Sequence, residues 1–224
     1  MASIEAGTSQ GPARVDWTAP AAGLASFVLA LTHGAGGTAG SADLLAARDA
    51  AVALGGGVAL VTQPYRVRGA RAPGNAGRQD EAWIELMTWL LSPSGPAAGS
   101  GSRPPLVVGG RSNGARVACR TAAAVGARGV LALAFPLQPP ARRMRGSGEV
   151  TLPPDRSAEL HAAIRGGAHV LVLNGDRDPF GIPPASQAIQ VVVLNGETHS
   201  LSKKPVAVAT AVTKWLADLA LPVP

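Results

Sequence analysis

The sequence predicts an α/β fold, a mostly parallel central sheet with helices on both faces. Two observations carry this. From residue 26 onward, short apolar runs alternate with segments of helical length and period, the order of β-α units and not of hairpins. The runs themselves are almost unbroken in apolar character, as strands covered on both faces are.

The 224 residues suit one domain, with residues 1–12 as a flexible N-terminus and 13–224 as the folded unit. With 28 glycines and 19 prolines the chain has many turns, and with only 4% aromatic residues its core has few large anchors. Residues 14–18 read as a short edge strand. Residues 26–31, Ser-Phe-Val-Leu-Ala-Leu, read as a central strand that stops at the glycine-rich loop 32–37. Ser41 is placed to cap a helix running to residue 54, closed by Gly55, Gly56 and Gly57. Residues 58–62 form the next strand, and 63–75 a polar loop. Residues 80–91 form a helix with Trp83, Met87 and Leu90 on one face. Residues 92–105, rich in Pro, Gly and Ser, form a surface loop.

A strand at 106–108 leads into Gly110-Arg111-Ser112-Asn113-Gly114 and then a helix over 115–125. Further strands follow at 129–135, 169–173 and 191–194. Short and closing helices fall at 155–164 and 203–219, the latter with Val208, Val212, Trp215 and Leu219 along one side. The stretch between the strands at 129 and 169 is short and holds one helix, so any cap over the sheet is minimal or missing. No repeat and no linker divides the chain.

The formal charge is +6, and Lys203, Lys204 and Lys214 are the three lysines. A basic balance fits a solvated arginine-rich surface, an acidic substrate or nucleic acid. No aromatic platform or recognition-helix motif supports the last. The single cysteine, Cys119, forms no intrachain disulfide and lies within a helical segment as a small buried residue. Residues 21–31 are apolar but too short to span a bilayer, and Glu5 and Asp16 precede them, so no export signal is read. A cytoplasmic protein is expected, binding neither membrane nor nucleic acid, as a monomer or a homodimer.

The chemistry gathers in four loops at the carboxyl ends of strands, where open parallel sheets bind ligands. They carry His33, Ser112, the pair Asp176 and Asp178, and His199. In Gly-x-Ser-x-Gly between strand and helix, the turn is too sharp for Cβ atoms at the flanking glycines, and the serine hydroxyl is pushed outward. A serine nucleophile needs a base, and the base an orienting carboxylate. Either Asp176 or Asp178 is placed to supply it. His33 is expected to brace its loop. No histidine spacing suits a metal, and neither metal nor cofactor is expected.

The order Ser, Asp, His, with His33-Gly34-Ala35-Gly36-Gly37 before the first helix, resembles the α/β-hydrolase superfamily, and within it a compact lidless branch related to dienelactone hydrolases. Pro64-Tyr65-Arg66 and Asp178-Pro179-Phe180-Gly181 also resemble that branch. The resemblance implies a serine hydrolase of a small ester, lactone or thioester, with Ser112 as nucleophile, His199 as general base and Asp178, directly before proline, as orienter. It implies an oxyanion hole from Asn113 and the Gly34–Ala35 region, and Tyr65, Arg66, Phe135 and Phe180 near the substrate. Arg66, Arg68, Arg71, Arg142, Arg143 and Arg145 are placed to form a positive rim for an anionic substrate. The alternative is a non-catalytic binding or scaffold protein that keeps the fold.

Overall fold

The computed structural model describes residues 2–21, 23–98, 103–139, 141–143, 150, 151, 153, 155–219 and 221. The elements in chain order are β1 (Ala2–Ala6), β2 (Ala13–Thr18), β3 (Val28–Thr32), α1 (Ala42–Ala53), β4 (Gly57–Thr62), α2 (Pro64–Val67), α3 (Ala76–Leu90) and β5 (Leu106–Arg111). There follow α4 (Asn113–Val125), β6 (Gly129–Leu133), β7 (Arg142–Arg143), β8 (Val150–Thr151), α5 (Ser157–Arg165), β9 (His169–Gly175), β10 (Ile189–Leu194) and α6 (Pro205–Asp218). Among the described residues eight strands form one sheet in the order β1-β2-β4-β3-β5-β6-β9-β10. From β4 to β10 every neighbouring pair is parallel, whereas β1 pairs antiparallel with β2 and β2 with β4. Among the described residues the short strands β7 and β8 pair with each other.

The pleat sorts the apolar runs between two layers. Leu29, Leu31, Leu131, Leu133, Leu171 and Leu173 share one core with Leu44 and Ala47 of α1 and Val208, Val212 and Trp215 of α6. Their sequence neighbours Val28, Ala30, Val130, Ala132, Val170 and Val172 share the other with α3, α4 and α5. Because both faces are covered, β3, β4 and β6 are buried at every position, the outcome that continuous apolar runs predict. Each fully buried Leu or Val contributes about 1.5–3 kcal/mol of transfer free energy. On the second face the α4 residues Ala115, Ala118 and Ala122 are buried, and their small size lets this helix lie close to the sheet.

The structure departs from the sequence reading at particular places. Residues 1–12, expected to fray, contain β1, which pairs Ile4 with Val15 and Ala6 with Ala13. Ala6 is buried and Ile4 packs on the core, so β2 is an interior strand and not the edge. Helix α2 forms one turn inside the predicted polar loop, with Pro64 at its first position, where a missing N–H is harmless. Helix α3 starts at Ala76, with the Asn75 side chain accepting from the Arg78 N–H at 3.3 Å. Ser41 occupies its expected cap position but makes no side-chain cap bond. The strand at 129 ends at Leu133, before Phe135. Between β6 and α5, no helix among the described residues covers the strand ends.

Candidate active site

Ser112 follows the last residue of β5 and precedes the first residue of α4. Its backbone sits at φ 53, ψ −110, a region that a residue with a Cβ atom enters at a cost of about 1–3 kcal/mol. The surroundings hold it there. The Ser112 N–H donates to the Leu133 carbonyl at 2.9 Å. A Cβ on Gly110 would collide with the Thr32 carbonyl oxygen, and one on Gly114 would lie 2.5 Å from the same atom. The two glycines therefore let β5 and α4 close in on the end of β3.

The turn carries the Ser112 hydroxyl to the His199 ring. Oγ lies 2.9 Å from Nε2 of His199, and Nδ1 of that ring lies 2.9 Å from Oδ2 of Asp178. With a carboxylate at Nδ1, that nitrogen carries the hydrogen, and Nε2 is left to accept from the serine. The Asp178 carboxylate is buried. Its Oδ1 accepts from the Phe180 N–H at 2.9 Å and its Oδ2 from Nδ2 of Asn174 at 3.3 Å. The Phe180 ring packs against the imidazole, with centroids 4.5 Å apart. Asp176 takes no part, since its Oδ1 accepts from the Gly196 N–H at 2.6 Å and ties the turn after β10. Of the two aspartates, Asp178 and not Asp176 thus stands against the imidazole.

On the other side of Ser112 lies the loop 33–37. A Cβ on Gly34 would stand 3.3 Å from that of Ser112, so the loop touches the serine. His33 is buried. Its Nδ1 bonds the Gly34 carbonyl at 2.9 Å and its Nε2 accepts from the Gln63 N–H at 3.1 Å, the bracing role expected of it. Burial pushes its pKa down, with Arg66 acting in the same direction against the Gly34 bond. The Tyr65 hydroxyl donates to the Ala35 carbonyl at 2.9 Å, and burial raises its pKa to about 12. The Asn113 N–H stands at the first position of α4, where a helix leaves its donors without internal partners. The Asn113 side chain donates to Oε1 of Gln79 at 2.7 Å, which turns it toward α3.

The remaining expected substrate contacts divide. Phe180 is half-buried against His199. Phe135 is 0% exposed and belongs to the core, its backbone held at both N–H and carbonyl by the Asn174 amide. It is therefore no substrate-lining residue, because the chain turns at Ala134, φ 46, and sends the ring inward. Tyr65 is buried with its hydroxyl engaged, so it shapes the loop. Arg66 lines a cleft beside Gly37 and Thr38. Arg68 bonds the Gln10 carbonyl, Arg71 is exposed, Arg142 and Arg143 form β7, and Arg145 lies outside the described residues.

Sequence reasoning missed two anchors of the His199 loop. Arg111 donates from Nη2 to the His199 carbonyl at 3.0 Å, and its Nε lies 3.4 Å from Oδ2 of the buried Asp43 on α1. Glu197, also buried, accepts on Oε1 from the Lys203 and Lys204 N–H groups at 2.8 and 2.6 Å. Arg111 stands between the glycine and serine of the pentapeptide, but nothing local points to a partner 88 residues away.

A family model described as an alpha/beta hydrolase domain matches residues 25–217. A comparison with curated proteins gives no match. Among solved structures, an alpha-beta serine hydrolase homologue from Coxiella burnetii is similar at 15% identity with a TM-score of 0.73, over 96% of this chain and 97% of its own. An a/b serine hydrolase without lid from Xanthomonas campestris is similar at 20% identity with a TM-score of 0.69, over 100% of this chain and 96% of its own. A dienelactone hydrolase from Anabaena variabilis is similar at 16% identity with a TM-score of 0.69, over 97% and 96%. At these identities the three carry the fold.

Proposed function

The chain belongs to the alpha/beta hydrolase family, and from that membership we propose that it is a serine hydrolase, cleaving a small ester, lactone or thioester through an acyl-enzyme. The observation that carries the reading is the unbroken run of 2.9 Å hydrogen bonds from Ser112 through His199 to the buried Asp178. A serine hydroxyl is a weak nucleophile until a base takes its proton. Nε2 of His199 takes it as Oγ attacks the carbonyl carbon, and Asp178 stabilises the imidazolium through Nδ1–H.

The carbonyl oxygen becomes an oxyanion beside the Asn113 N–H and the N–H groups of the Gly34–Ala35 loop. One such donor typically lowers the barrier by about 3–4 kcal/mol. As the carbon–oxygen or carbon–sulfur bond breaks, His199 returns its proton to the leaving group. Water then enters, His199 removes a proton from it, and the second tetrahedral species collapses to release the acid and restore the Ser112 hydroxyl. The wall of the oxyanion site is held by His33 and Tyr65, which fix Gly34 and Ala35 by their carbonyls.

The test is labelling with a fluorophosphonate probe, alongside hydrolysis of p-nitrophenyl esters of rising chain length, one lactone and one thioester. Labelling and turnover are expected in the native protein and lost in Ser112→Ala. Equal labelling of the Ser112→Ala protein, or no labelling of the native one, would remove the reading.

A further inference from the structure

A cleft of about 430 Å³ opens beside the loop that touches Ser112, within the size range of small-ligand sites. Strand β1 supplies Ser3 and Glu5 to its wall, β2 Arg14, β4 Thr62, α2 Arg66, and the loop after β3 Thr38. Two guanidinium groups and three hydroxyls thus meet one carboxylate. Each guanidinium has five N–H donors. Arg14 reaches Thr62 Oγ1 at 3.5 Å and Asp16 at 4.0 Å, and Arg66 reaches the Ala70 carbonyl at 3.1 Å, contacts that occupy a minority of those donors. Paired arginines with hydroxyl donors are the chemistry of oxyanion recognition, carboxylate or phosphate.

We infer that this cleft binds the anionic end of an extended substrate whose ester lies at Ser112. The inference rests on the hydrolase reading above. Gly37, in the cleft wall, bonds Gly34 by its N–H at 3.0 Å, and Gly34 abuts Ser112, so the loop is shared by both sites. The sheet sets the separation. In the order β2-β4-β3-β5, β4 is two strands and β2 three strands from the strand that bears Ser112. At about 4.8 Å per strand this is roughly 10–14 Å. An extended chain advances about 3.4 Å for three backbone bonds, so the anion stands roughly eight to twelve bonds from the scissile carbonyl. Glu5 faces Arg14 across the β1–β2 pair and opposes the anion, which gives the site a sign of its own to test.

The experiment compares kcat/KM for the p-nitrophenyl monoester of decanedioic acid with that for p-nitrophenyl decanoate. The native protein is expected to favour the anionic ester. Arg14→Gln and Arg66→Gln are each expected to reduce the anionic-to-neutral ratio about tenfold, and Glu5→Gln to raise it about threefold, a change of opposite sign that mere destabilisation does not produce. The monoester of pentanedioic acid is too short to reach, and its ratio should not respond to the arginines. Acetyl esters of ω-hydroxy acids of matching length place the charge on the alcohol side, and whichever series depends on the arginines assigns the cleft to that half of the substrate.

Unchanged ratios in both arginine variants, or an equal loss with the short ester, would overturn the site while leaving the hydrolase reading intact. The converse is read in Ser112→Ala by calorimetric titration with decanedioate. Binding that Arg14→Gln weakens, in a protein whose native form cleaves no ester, would uphold the anion site and remove the hydrolase reading. No binding and no arginine dependence would remove the site.

Discussion

At the scale of single residues, two aspartates two positions apart in one loop have unlike environments. Asp178 is buried and bonds the imidazole, while Asp176 is exposed and bonds a turn N–H. Asp178→Asn would present an amide to Nδ1 and favour the wrong tautomer, so kcat should fall roughly a thousand- to ten-thousand-fold with the fold kept. Asp176→Asn should stay within about tenfold of native activity, losing about 1 kcal/mol or less from the weakened turn bond. Steady-state kinetics of the two variants check this, and equal losses would place the orienting role elsewhere. Arg111 makes a different demand. Its guanidinium is the near partner of Asp43, whose side chain is 0% exposed, and is itself 19% exposed. Burial raises the Asp43 pKa, and the Arg111 charge opposes that rise. Arg111→Met strands that carboxylate and should cost about 3–5 kcal/mol in urea unfolding, because a buried charge loses its partner. Replacing both residues, Asp43→Leu with Arg111→Met, should cost less than the sum of the two single changes. Neither contact was legible locally, since Arg111 and Asp43 are far apart in the chain and share no motif.

At the scale of elements, legibility followed pattern length. Strands β3, β4, β6 and β9 announce themselves because long apolar runs have one good destination, the centre of a covered sheet. Helix α6 does so by its apolar stripe. Strand β1 has five residues of which three are exposed, too short an alternation to separate from a frayed end, and it forms because β2 offers it a partner. Helix α2 is a single turn seated by Pro64 and leaves no period to read. Phe135 looked available because the strand appeared to run through it, whereas the chain turns one residue earlier. The start of α6 illustrates a contact that joins elements. Glu197 belongs to the loop after β10, yet its carboxylate receives the N–H groups of Lys203 and Lys204, the two residues that lead into the helix. A carboxylate beside a helix N-terminus complements the helix dipole. Glu197→Ala should lose about 2–4 kcal/mol, from two charge-assisted bonds. For a chain of this length that is a fall in Tm of roughly 4–16 °C, at about 2–4 °C per kcal/mol. Since Glu197 lies two residues before His199, turnover should fall as well, whereas a Tm within a degree of native would show these bonds to be energetically idle.

At the scale of the whole molecule, the covered sheet that shaped the site also sets its response to acid. The sequence made the layered fold plain, but not that closing the layers would bury His33 at the junction of β3, β4 and the loop 33–37 that touches Ser112. That burial lowers the His33 pKa below its ordinary 6.5, so the unfolded chain binds this proton more readily than the folded one. Between the lowered value and 6.5, stability therefore rises with pH, and it is lost as pH falls through that window. Asp43 acts with the opposite sign. Its pKa is raised above 3.8 by burial, so the folded state holds that proton more readily, and stability falls as pH rises from 3.8 toward the raised value. The two windows begin at different ends, His33 just below 6.5 and Asp43 just above 3.8. Acidification from about pH 7 should first weaken the fold, with a slope of up to about 1.4 kcal/mol per pH unit from one histidine. Protonating Nε2 also expels the Gln63 N–H it accepts, which loosens the loop that carries Gly34 and Ala35. Urea unfolding at about pH 8, 7, 6 and 5 measures the slope, and His33→Gln should flatten it between pH 7 and 5 whatever its effect on absolute stability. A slope in the variant parallel to that of the native protein would assign the acid sensitivity to other groups.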